Sequence, residues 1–99
     1  MKYDPRALEA TLSAAVGDDA MLAAELRQAF LSGARGHADA MGRTADVAEW
    51  RASAMRLQGL AASFGAFELM DLAEKATQDT PGNTVLSRAI DAVIGGLAS

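Results

Sequence analysis

The chain has no cysteine. That excludes a disulfide framework, a thiolate metal site and a thiol nucleophile, and it is compatible with a reducing compartment. No run of about 18 apolar residues occurs, as a membrane-spanning helix requires. The opening stretch MKYDPRALEA lacks the apolar core of a signal peptide, so a soluble, cytoplasmic protein is expected. Excess positive charge is missing too. With a net charge of −4 and no basic stripe, there is no counterion-release drive toward nucleic acid. Period-two alternation of branched and aromatic residues is also absent, so no strand is predicted.

What remains is helical. The 99 residues suffice for one domain spanning 1–99, and folding at this size removes roughly two-thirds of the unfolded chain's surface from water. A content of 51% hydrophobic and 22% charged residues lies within the range of chains that fold unaided. The initial Met1 and the helical end favour a whole chain over a fragment.

Capping residues and turns divide the sequence. Asp4 and Pro5 read as the N-cap and first position of a short helix carrying Leu8, Leu12 and Val16, ended by Gly17. Asp18 and Asp19 open a longer one to about Gly42, with Leu22, Leu26, Phe30, Ala34, Ala38 and Met41 along one side; Gly33 and Gly36 weaken it locally. Thr44 or Asp46 starts a third, in which Trp50, Leu57, Ala61 and Phe64 share a face. The stretch Phe64-Gly65-Ala66 bends the chain into a fourth, carrying Leu69, Leu72, Ala73 and Ala76, with Met70 in or beside the core. TPGN, Thr80 to Asn83, is a turn, after which Asn83 caps a last helix through Leu86, Ile90, Val93 and Leu97. Short connections favour antiparallel neighbours. The predicted fold is all-α, an antiparallel up-and-down four-helix bundle with a short additional N-terminal helix across one end.

On a wheel of about 100° per residue, Met55 points away from Trp50, Leu57 and Phe64. Arg51, Gln58, Gly59 and Ala62 lie within roughly 60° of it on that wheel. In MRLQGLAASFGA, Met55 to Ala66, the residues Leu57, Gly59, Ala61 and the Gly65-Ala66 pair resemble the pattern of histidine phosphotransfer (HPt) domains, best over Asp46 to Ala76. The resemblance puts Met55 at the family's phospho-accepting histidine and Gln58 at its neighbouring lysine, and Leu60 replaces a usual small residue. It implies a docking surface for the receiver domain of a response regulator or for a histidine kinase, formed by Arg51, Met55, Gln58, Gly59 and Ala62.

Phosphotransfer needs a nucleophilic imidazole on an exposed helix and a cation beside the phosphate. A thioether and a neutral amide supply neither. The expectation is therefore a non-enzymatic pseudo-phosphotransfer module with no cofactor and no metal. His37, the sole histidine, falls inside the apolar stripe of the second helix, which favours a buried or edge position held by a hydrogen bond. A helper role beside Met55, or a relocated phosphorylation site at His37, stays open. So does a structural or oligomerising bundle, with oligomeric state left undetermined. Arg27, Arg35, Arg43, Arg51 and Arg56, five of the seven arginines, cluster on helices two and three or their connection. They form either a basic docking face for an acidic receiver pocket or a solvated face paired with Glu49 and Asp46. The Asp18-Asp19 pair reads as capping and dipole stabilisation rather than a metal site.

Overall fold

In the computed structural model, which describes residues 6–98, every regular element is helical. The helices are α1 (Ala7–Val16), α2 (Ala20–Arg43), α3 (Val47–Ser63), α4 (Phe67–Thr77) and α5 (Thr84–Ala98). No strand occurs among the described residues, in keeping with the all-α expectation. The cap expected at Asp4 and Pro5 lies outside them.

Side-chain caps set the boundaries. Asp19 accepts a hydrogen bond from the Leu22 N–H at 3.0 Å and opens α2. Of the two candidates for opening α3, Asp46 is the cap, accepting from the Ala48 N–H at 2.8 Å. The Thr44 hydroxyl accepts from the Asp46 N–H at 3.0 Å and donates to Glu49 Oε2 at 2.7 Å, which commits Glu49 to the helix entry.

The α3–α4 bend is a Schellman closure. The Gly65 N–H donates to Ala62 O at 3.3 Å, and the Ala66 N–H donates to Ala61 O at 2.9 Å. Gly65 itself takes φ +71°, and a Cβ there would meet Thr11 Oγ1 at 2.7 Å. Glycine is thus demanded twice, by the left-handed backbone and by α1 lying against this corner.

In the α4–α5 turn, Asn83 Oδ1 accepts from the Leu86 N–H at 3.0 Å while its Nδ2 donates to Asp79 Oδ2 at 2.6 Å. The Thr80 N–H also donates to Asp79, and this backbone bond, with Asn83 second, holds the carboxyl below its ordinary value of 3.8. A depressed folded pKa contributes stability that is present above the unfolded value and is lost as pH falls through the folded one. NMR titration should place the Asp79 midpoint below 3.8, and Asp79→Asn should flatten the acid-side loss of thermal stability.

The helices close into a ring: α3 packs against α2 and α4, and α5 packs against the same two, while α1 leans on α2. Trp50, Phe30, Leu57, Leu69 and Ile90 fill its centre with almost no exposure. The buried Trp50 Nε1–H donates to Ala76 O at 2.8 Å, tying the start of α3 to the end of α4. Phe30 and Phe64 stack with ring centroids 4.9 Å apart, joining α2 to the far end of α3.

One expectation about the core is corrected. Leu22, read as part of the apolar stripe of α2, is 48% exposed. At 1.5 Å per residue the 24 residues of α2 outrun its neighbours by about 10 Å, leaving its first turn uncovered. Leu31, outside that stripe, is buried, because α2 is covered by α5 as well as by α3. On α5, Ile94 is buried, whereas Val93 and Leu97 only lean on the core.

Candidate functional site: the outer face of α3

Packing consumes one side of α3. Trp50, Ser53, Ala54, Leu57 and Ala61 are buried, which turns Met55 outward at 63% exposure. Arg51, Gly59 and Ala62 are exposed beside it, and Gln58 is half-buried on the flank. Ala48 is exposed and Ala52 half-buried. They lie about 20° and about 60° from Met55 on the helical wheel and extend the same small-residue surface toward the start of α3. That wheel was enough to find them, although no functional pattern pointed to them.

The glycines of α2 and α3 separate into two kinds. A Cβ at Gly33 would come within 3.1 Å of Leu60 Cδ2, so this glycine makes room for the leucine. At Gly59 and Gly36 an added Cβ would meet nothing within 4 Å. The chain's own packing gives Gly59 no reason to be glycine, although glycine inside a helix costs about 1 kcal/mol relative to alanine. Gly59→Ala is therefore expected to raise stability in urea denaturation by roughly 0.5–1 kcal/mol. If the open surface serves close approach, the same substitution should weaken partner binding, which separates docking from folding.

The arginines do not form one patch. Arg27 turns to the opposite side of α2, where it pairs with Glu9 of α1 and donates to Leu97 O of α5. It therefore clamps three helices together and leaves the proposed docking face. Arg35, Arg43, Arg51 and Arg56 are exposed and have no ion-pair partner among the described residues. The expected pairing of Asp46 and Glu49 with arginines is replaced by helix capping. Arg51, one turn before Met55, remains a free cation on this face.

His37 is half-buried at the edge of the packed interior. Its imidazole has no hydrogen-bond partner among the described residues, and neither ring nitrogen is sealed from solvent. Asp19 is occupied by its cap, and Asp18 lines an open hollow of about 260 Å³ between the end of α1 and the start of α2, with Glu9 on its rim. Among the described residues no group of three or more His, Cys, Asp or Glu comes together as metal ligands, and no helix is long and apolar enough to cross a membrane.

No protein-family model, curated protein or solved structure matches the chain. The functional reading rests on residue chemistry and on the geometry of this face.

Proposed function

We propose that the protein is a non-catalytic module similar to HPt domains, which binds a receiver domain of a response regulator, or a histidine kinase, through the face around Met55. In this reading residues 1–99 form a single cytoplasmic domain, with α2 to α5 as an antiparallel up-and-down bundle and α1 across one end. The ring of helix contacts, the short connections and the position of α1 against Gly65 support that arrangement.

One observation carries the function. The residue standing at the family's phospho-accepting position is the most exposed large apolar side chain of α3, at 63%, among small residues and beside an unpaired arginine. A methionine adapts its shape to an apolar partner surface, and an arginine favours a partner with an acidic pocket. A thioether cannot take the place of the nucleophilic imidazole at neutral pH, so the module acts by occupancy, competing with a true relay protein.

Calorimetric titration with receiver domains from the same cell tests this. Met55→Glu and Arg51→Glu should each weaken binding by about tenfold or more, since each sets a carboxylate against an acidic partner. Failure of the wild-type protein to bind any receiver or kinase, or unchanged binding by both variants, removes the proposal. The half-buried edge position of His37, with no protein hydrogen bond among the described residues to hold its ring, supports one second reading, phosphotransfer through that imidazole. A phosphorylated receiver should then deposit acid-labile phosphate on the wild-type protein and none on His37→Ala.

A further inference from the structure

The docking face contains a chemical group that a leucine in the same place would not supply. Met55 presents its thioether at 63% exposure, with Gly59 one turn away adding no side chain to shield it. The other described methionines grade in access: Met21 is 74% exposed, Met70 is half-buried and Met41 is 2% exposed. With no cysteine in the chain to intercept an oxidant, the accessible thioethers are its most readily oxidised groups.

We propose that Met55 is an oxidation site whose conversion to the sulfoxide by a hydroperoxide switches off docking; this rests on the function proposed above. The sulfur lone pair attacks one peroxide oxygen, the O–O bond breaks and an S–O bond forms. Sulfur loses two electrons, and the departing hydroxide takes the proton from the transferred oxygen and leaves as water. The product replaces a flexible apolar contact by a strong dipole with an oxygen acceptor. Buried at an interface without a donor, that oxygen opposes association. Met21, somewhat more accessible and on the first turn of α2, is an internal control.

The test treats the whole protein with hydrogen peroxide and follows each methionine by peptide mass spectrometry, with binding measured to a receiver domain that binds the untreated protein. Met21 and Met55 should each gain one oxygen well before Met41, and binding should weaken about tenfold, as expected for one unpaired buried polar group. Methionine sulfoxide reductase should restore it. Met21→Leu should stay peroxide-sensitive, whereas Met55→Leu, whatever its starting affinity, should lose none on treatment. Unchanged binding after Met55 is oxidised, equal sensitivity in Met55→Leu, or oxidation of Met41 before Met55 overturns the inference and leaves the docking reading intact. If no receiver binds even the untreated protein, both fall.

Discussion

Met55→His combined with Gln58→Lys is expected, on the function proposed above, to make the face around position 55 accept phosphate from a phosphorylated receiver. The physical case is narrow. Position 55 already faces solvent, Gly59 leaves the approach open, and the core residues of α3 lie on the other side, so the two changes disturb little packing. A histidine at 55 supplies the ring nitrogen that attacks phosphorus while the aspartyl oxygen departs as carboxylate. A lysine at 58, nearly a full turn further along, supplies the charge that balances the phosphoryl oxygens. Met55→His alone should transfer at least about tenfold more slowly, because it lacks one charge-assisted contact of about 1.5 kcal/mol or more. Acid-labile labelling, with folding checked through the buried Trp50 emission, decides it. A folded double variant that takes no label removes the reading of this face as an HPt-like docking surface.

Trp50→Ala is expected to be the most damaging single change in the core. Trp50 is the largest fully buried side chain, and its indole N–H is the donor to Ala76 O. Truncation empties a volume worth about 3–5 kcal/mol and loses the indole hydrogen bond to Ala76 O, about 1 kcal/mol more, while that carbonyl keeps the Asp79 N–H as a donor at 3.1 Å. Together these approach the whole stability of an ordinary domain, about 5–15 kcal/mol. Urea denaturation followed by circular dichroism should show little or no native baseline for Trp50→Ala. Trp50→Phe, which keeps most of the ring volume and loses the hydrogen bond, should fall between it and wild type. A Trp50→Ala protein as stable as wild type would contradict the packing of α3 on α4.

The helices and their limits were legible because they depend on local chemistry. Asp19, Asp46 and Asn83 cap helices in the structure as the sequence leads one to expect, since a short acceptor side chain beside free N–H groups needs no distant partner. Gly65 and the TPGN turn are readable for the same reason, being places where the backbone itself demands glycine or a turn residue. The outward direction of Met55 also follows from periodicity, because Trp50 and Leu57 claim the opposite side of the helix.

Partner choice was not legible. Five arginines near one another in the chain suggest one basic face, yet Arg27 reaches Glu9 and Leu97, residues brought to it only by the crossing of α1 and α5. Thr44 and Asp46 look interchangeable as caps, and the loop geometry assigns them different partners. Leu22 is exposed against expectation, and Leu31, which the apolar stripe does not include, is buried, because coverage depends on how far neighbouring helices extend and on how many pack against α2. Periodicity states which face of a helix is apolar. It carries no information about the length or position of what lies against it.

By itself, then, the sequence determined five helices, most of the caps and turns that bound them, and an apolar side chain turned outward at position 55. Only the tertiary structure decided which arginines are free, that Gly33 makes room for Leu60 while Gly59 answers no internal need, and that His37 lacks a hydrogen-bond partner among the described residues. Caps and turns depend on bonds spanning a few residues, whereas these outcomes depend on contacts between segments far apart in the chain.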